Sequence, residues 1–416
     1  MNQAFYTGLS GMKTYQYSLD VTSNNLANIN TVGFRADSTE FSTLFEGVLH
    51  TAQASSSNSV GVGSQVQATA MTQTYGSFMQ TDSATDLAIA GDGWFGVTSG
   101  AGDMYTRAGA FTFDSDRNLV SYDGMYLLGT MGSNINGNIM TEITDTTPMG
   151  APSSQSKMTL PENLHVNAEP TSYINFSGNL TSSETVIHQS STVISPNGEE
   201  NFLLLEYTKS AQQPQEGIVW DIVATLKSKD GETVYDTQKG SARFDSRGAI
   251  ERFTLPTFNN DGVPLNINLG VAFSGVTSID NVEVSYASEH DGRAAGDLVG
   301  YSINTNGEVI ASFDNGVSSS VGRVAIFHFG NDQGLERVSG THFQASANSG
   351  DPIFYTDEAG EYVVGADLKS FTLENSNLQY ENGLTELIIL QRALDANAKS
   401  ITTGDELIQK ALDMDA

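Results

Sequence analysis

Residues 1–30 read Met1-Asn2-Gln3-Ala4-Phe5-Tyr6-Thr7-Gly8-Leu9-Ser10-Gly11-Met12-Lys13-Thr14-Tyr15-Gln16-Tyr17-Ser18-Leu19-Asp20-Val21-Thr22-Ser23-Asn24-Asn25-Leu26-Ala27-Asn28-Ile29-Asn30. Phe5, Met12, Leu19 and Leu26 stand seven residues apart, and Leu9, Tyr15 and Ile29 widen the same stripe. Apolar residues at that spacing form the seam of a coiled coil. Only Lys13 and Asp20 carry charged side chains here, fewer than a solvated helix face normally shows. Gly8 and Gly11 each cost about 1 kcal/mol relative to alanine inside a helix. The stretch is therefore expected to be a weak helix alone and a stable one when packed.

The other end repeats the pattern. Leu387, Leu394, Ile401 and Ile408 are seven apart, with Leu384, Leu390, Ala398, Ala411 and Leu412 alongside. Asn375 or Ser376 can cap such a helix, and Glu381 suits its first turn. Gly383 and Gly404 weaken it as the glycines do at the N-terminus. Two readings are open. The ends form a helical hairpin that closes one domain, or they pair with each other and pack against further copies of the chain. If they pair, everything between them is an insertion.

That insertion reads as β structure. Residues 47–81 contain no Asp, Glu, Lys or Arg. Ala52–Ser59 is linker-like, and Val60, Val62 and Val66 alternate loosely with small residues, which predicts an extended connector. Leu87-Ala88-Ile89-Ala90, then Gly91-Asp92-Gly93, then Trp94-Phe95-Gly96-Val97 reads strand, turn, strand. Residues 149–291 alternate on their own, as in Trp220, Ile222, Ala224 and Leu226, with Lys229-Asp230-Gly231 as a hairpin turn. Ile303, Val309-Ile310 and Val324–Phe327 return to short strands. The expected fold is mainly β with α-helical termini, as two nested β domains between N- and C-terminal coiled-coil helices. The expected limits are 1–30 and 376–416 for the helices and 31–72 and 366–375 for the extended connector. The first β domain takes 73–148 and 292–365, and the outer inserted β domain takes 149–291.

Composition narrows the function. The 416 residues imply more than one core. With 41 Gly and 9 Pro the texture is turn-rich β structure. Asp and Glu number 49 against 19 Lys and Arg, a net charge of −30, which opposes nucleic acid and anionic membranes as partners. The lack of cysteine removes disulfides, zinc thiolates and thiol nucleophiles. The N-terminus has neither the basic region nor the apolar run of a Sec signal. No stretch approaches the roughly 18 apolar residues of a membrane span. Taken alone this reads as soluble and cytoplasmic, unless export uses another machine.

Motifs for chemistry are weak. Gly91, Gly93 and Gly96 spell G-x-G-x-x-G, but a strand follows where a dinucleotide site needs a helix, so a hairpin turn is expected. Asp114, Asp116 and Asn118 begin like a calcium loop, but Leu119 and Met125 occupy the Gly and Glu positions, so a β-turn is expected. His50, His165, His188, His290, His328 and His342 form no metal-type spacing, and no nucleophile elbow is present. No catalytic residue, metal ligand or cofactor is expected.

Ser18–Arg35 has a further property. Its Asn24-Asn25-Leu26-Ala27-Asn28 core, followed by Thr31-Val32-Gly33-Phe34-Arg35, resembles the N-terminal signature of the flagellar rod and hook family. Asp86–Phe95 with Tyr105-Thr106-Arg107-Ala108-Gly109 is similar to that family's first β-domain block. Leu373-Glu374-Asn375-Ser376-Asn377 and Gln391–Lys399, containing Gln391, Arg392 and Asn397, are similar to its C-terminal block. Residues 149–291 and Phe41–Gly47 favour a hook-type over a rod-type member.

The resemblance implies a non-enzymatic structural subunit. It would self-assemble into a helical tube that acts as a universal joint and transmits motor torque from rod to filament. Phe5, Leu9, Met12, Leu19, Leu26, Leu384, Leu387, Leu394, Ile401 and Ile408 would then be its assembly interface. The implied partners are copies of itself, a distal rod protein, a hook cap protein, a hook–filament junction protein and the flagellar type III export apparatus. The implied location is the extracellular hook of the flagellum, reached without a cleaved Sec signal. A distal rod or hook-associated protein is the alternative within the family, and a secreted β-rich adhesin or carbohydrate-active protein the alternative outside it.

Overall fold

Two helices bracket the chain in the computed structural model, which describes residues 2–44, 63–100 and 102–414. Helix α1 is Asn2–Ala27 and helix α2 is Tyr380–Met414. Both are shorter at their inner ends than periodicity predicts. At α1 the Asn28 side chain donates to the Asn24 carbonyl at 2.9 Å, competing for the acceptor of the last helical turn. At α2 the expected caps at 375–376 do not start the helix. Asn377 instead commits its side chain elsewhere: Oδ1 accepts from the Ala36 amide at 2.7 Å, and Nδ2 donates to the Thr72 and Thr74 carbonyls.

Next to α1 lies an antiparallel hairpin of Asp37–Thr43 and Ser64–Met71, with a bulge at Glu40/Phe41. The linker-like Ala52–Ser59, Val60, Val62 and the last three residues of Phe41–Gly47 lie outside the described residues. Strand Phe78–Gln80 then pairs with Thr372–Glu374, so the chain enters the β region beside the place where it leaves.

The inner β region centres on a large mixed sheet. Gly91 and Gly93, at φ +133° and +120°, form the turn between strands Leu87–Ala90 and Trp94–Thr98. Phe95, Val97, Leu127, Val309, Ala311 and Val324 are fully buried in its core. The expected limit at residue 148 falls too early. Met149, Met158, Leu160, Leu164 and Val166 belong to this same core, because Ser156–Lys157 pairs with Tyr126–Met131 and His165–Val166 pairs with Gly296–Ile303. Two-residue strands carry too little periodicity to announce which sheet they join. The crossing to the outer region sits at the Glu169–Arg293 bridge.

The outer core begins at Ile174. A five-stranded antiparallel meander, Val186–Ile194 through Ile250–Thr254, shares it with a six-stranded sheet around Tyr173–Asn179. Trp220, Ile222, Ala224 and Leu226 all point inward, each large side chain contributing about 1.5–3 kcal/mol by burial. The Trp220 indole donates to the Ser278 hydroxyl at 3.2 Å, which satisfies its one polar atom.

The turn at 114–118 closes on itself. Asp114 Oδ1 accepts from the Asp116 and Asn118 amides at 2.9 and 2.8 Å. Among the described residues no three His, Asp or Glu are grouped to hold a metal ion. No helix among them is long and apolar enough to cross a membrane.

Candidate functional site: the helix pair and its junction

Helices α1 and α2 run antiparallel, with Gly8 against Ile401 and Gly11 against Asn397. A Cβ added to Gly8 would sit 3.0 Å from Ile401 Cγ1, and one on Gly11 would sit 2.7 Å from Asn397 Oδ1. Gly8 and Gly11, which cost α1 helix propensity, are thus points of close approach between the two helices, whereas Gly383 meets Leu378 and Gly404 meets nothing within 4 Å.

The buried residues of α1 are Gly8, Gly11, Thr14, Ser18, Thr22 and Asn25, spaced by three or four. This row is small and polar. Past Gly11 it turns to the hairpin, whose backbone and hydroxyls supply partners. Thr14 donates to the Ser64 carbonyl at 3.0 Å, and Ser18 and Thr39 share a hydroxyl hydrogen bond at 2.6 Å. Asn25 binds the Asp37 backbone at both ends, at 2.7 and 3.0 Å.

The apolar heptad is not the sealed seam. Phe5, Leu9, Met12, Leu19 and Leu26 are only half-buried, as are Leu387, Leu394, Ile401 and Ile408, and Leu384 is exposed. Seven-residue spacing describes two adjacent stripes of α1 equally well. The stripe without bulk lets the backbones come together. On the far side of α2 from Ile401 runs a second uncharged row: Ile389, Ala396, Thr403, Leu407 and Met414. Ile389, Leu407 and Met414 are 60%, 55% and 88% exposed.

The motif residues divide between this pair and its junction with the inner β region. Gln391 and Arg392 are exposed on α2, Asn397 faces Gly11, Asn24 is exposed and Asn28 ends α1. Gly33 and Phe34 are buried at the junction. Gly33 adopts φ +67°, and a Cβ there would lie 2.3 Å from the Ala108 amide nitrogen. Both the left-handed backbone and the contact require glycine. Its amide donates to the Glu374 carbonyl at 2.7 Å. Phe34 lies under the Arg337 guanidinium at 5.1 Å, and Arg337 pairs with Asp37 at 3.1 Å.

Glu374, which is 1% exposed, sits between Arg35 at 3.2 Å and Arg107 at 3.3 Å. The Tyr75 ring covers both guanidiniums, at 5.3 and 5.2 Å. Burial draws the Arg35 guanidinium down to about 10, against the opposing pull of Glu374. Beside this cluster Asp332 accepts from the Trp94 indole at 3.3 Å. Burial, and then the neighbouring Asp92 charge, raise its carboxyl above the ordinary 3.8. Of the polar row of α1 only Asn25 is among the expected motif residues, and Glu374 enters only as part of the Leu373–Asn377 block, with no role of its own. The available signal for the row is hydroxyls repeating at helical spacing.

Residues 5–35 match the family described as flagella basal body rod protein. Residues 88–182 match the flagellar hook protein FlgE/F/G D1 domain, and residues 369–414 match the flagellar basal body rod FlgEFG protein C-terminal region. These are the stretches that meet at the junction. The flagellar hook protein FlgE of Borreliella burgdorferi is 28% identical over 451 residues, covering 99% of each chain. That of Escherichia coli is 26% identical over 429 residues, covering 99% of this chain and 100% of its own.

Three family matches in chain order and end-to-end similarity to hook proteins support a flagellar hook protein.

Its fold is shared with the crystal structure of Helicobacter pylori flagellar hook protein FlgE2, at a TM-score of 0.54 and 15% identity over 70% of this chain and 99% of that one. This hook-family chain is a structural subunit of the flagellar hook. The chain itself is mainly β with helices at its N- and C-terminal ends.

Proposed function

We propose that this hook-family subunit polymerises through its terminal helices into a tube, with the β regions radiating outward and torque passing along the wall from rod to filament. The uncharged outer row of α2 carries the reading: Ile389, Leu407 and Met414 are exposed although apolar, and adjacent copies would bury them. The half-open heptad of α1 and α2 (Phe5, Leu9, Met12, Leu19, Leu26 with Leu387, Leu394, Ile401 and Ile408) and the exposed Leu384 would supply further surface to neighbouring copies, away from that row. Each apolar side chain covered on assembly contributes about 1–3 kcal/mol, so helices that are weak in the monomer become stable in the polymer. The work done is mechanical, with no catalytic step. Family membership supports export through the flagellar type III apparatus, growth beneath a hook cap, and contacts with a distal rod protein below and a hook–filament junction protein above.

The decisive experiment is Leu407→Asp combined with Ile389→Asp. Electron microscopy of basal bodies from a strain carrying this variant is expected to show them without hooks. The purified monomer should melt as the parent does, since exposed substitutions usually change stability by less than about 0.5 kcal/mol. Hooks of normal length would overturn the assigned role of this face. Labelled antibody on isolated basal bodies separates hook from rod placement: signal confined to the rod would sink the hook assignment.

A further inference from the structure

Three chain segments cross between the helix pair and the inner β region: 31–36, 72–77 and 371–379. One carboxylate touches all of them. Glu374 lies in the third and pairs with Arg35 of the first at 3.2 Å. It accepts from the Gly76 amide of the second at 3.0 Å, and it holds Arg107 of the β core at 3.3 Å. Arg35 also donates to the Thr74 carbonyl, and Arg107 donates to the Gly91 carbonyl at 2.7 Å. The side chains of Arg35, Arg107 and Glu374 are 4%, 2% and 1% exposed. A buried charge keeps its place only while its partners stay put, because separation strands an uncompensated ion in a poorly solvating interior. With two cations and one anion, Glu374 is the residue whose charge holds the others together. The crossing to the outer β region is built differently. Its Arg293–Glu169 pair is 41% and 59% exposed, so water can replace either partner at little cost.

We infer that Glu374 is the positioning residue that locks the helix pair to the inner β region, so that the two turn as one lever, while the solvated Glu169–Arg293 crossing imposes no comparable constraint on the outer region.

The chain contains no cysteine, so two introduced thiols can be spin-labelled cleanly. In full-length monomer carrying Asp405→Cys on α2 and Tyr122→Cys on the inner β region, pulsed electron spin resonance should give one narrow distance distribution. Glu374→Gln should broaden it, and Arg293→Ala should leave it unchanged. The Gly33 and Gly76 amides should exchange hydrogen about tenfold faster in Glu374→Gln, equivalent to one pKa-unit's worth of lost interaction. Amides of Trp94–Thr98 should keep the parent rate. An unchanged distance distribution in Glu374→Gln would overturn the lock, as would equal broadening by Arg293→Ala. If Glu374→Gln does not fold, Arg35→Gln takes its place. It leaves the Arg107–Glu374 pair intact and should broaden the same distribution, and failure to do so would equally overturn the lock. Because the distance is read on monomer, failure of the lock and failure of polymerisation are seen separately.

Discussion

In the outer β region Trp220, Ile222, Ala224 and Leu226 all turn inward and are at most 1% exposed. In α1 the residues turned inward are Gly8, Gly11, Thr14, Ser18, Thr22 and Asn25, while Phe5, Leu9, Met12, Leu19 and Leu26 remain half in water. The first region seals the alternating face of this strand inside its own core. The second closes with glycine contacts and hydroxyl hydrogen bonds and leaves part of its apolar surface in water. A sealed β core and an open helix pair in one chain are what a subunit needs if it must fold alone and then polymerise.

That contrast can be broken most severely from the sealed side. Trp220→Ala should cost about 3–5 kcal/mol, the range for emptying a large aromatic site. Calorimetry should show the outer transition lowered while hydrogen exchange in α1 stays at the parent rate. Loss of protection in α1 as well would mean that the two regions are not independent.

At the junction, Gly33→Ala forces a Cβ into a left-handed residue 2.3 Å from a backbone nitrogen, and about 1–3 kcal/mol of strain is expected. Proteolysis between residues 31 and 37 should accelerate, with the outer transition unmoved. Within the open pair, Ser18→Ala removes the hydroxyl shared with Thr39 and should cost about 1 kcal/mol. It should be read as faster exchange in Asp37–Thr43. An effect as large as that of Trp220→Ala would show that the polar row is a core in its own right.

Asp332→Asn should give the smallest change, and its sign depends on pH. The carboxyl of Asp332 is raised in the folded chain above the ordinary 3.8, so the native state holds this proton more tightly than the unfolded state. The resulting penalty is absent below the ordinary value, grows as pH rises through the raised one, and is constant beyond it. The variant should therefore melt slightly above the parent near neutral pH, with the gap closing as pH falls towards 3.8. A gap independent of pH would show that burial and the Asp92 charge do not raise this carboxyl in the folded chain.

Much of the fold was legible in the residues. Seven-residue apolar spacing marked both helices, alternation marked Ile218–Ser228, and the glycines at 91 and 93 marked a turn. What was not legible was which stripe of α1 is sealed, since two stripes share one period and only bulk distinguishes them. The limit at 148 also failed, because strands of two residues join whichever sheet offers an edge. Glu374 gave almost no local signal, since its meaning lies in Arg35 and Arg107, both far away along the chain.

The sequence by itself determined that this chain has helical ends, a β interior in two parts and an acidic, cysteine-free composition, because helix and strand periods and turn chemistry are local properties. Only the tertiary structure decided that the ends meet at Gly8 and Gly11, that the hydroxyls of α1 bind the hairpin, that the apolar heptads stay partly open, and that one buried carboxylate joins three crossing segments. Those outcomes depend on distances between residues such as Gly8 and Ile401, or Arg35 and Glu374, which are set only once the whole chain has closed on itself.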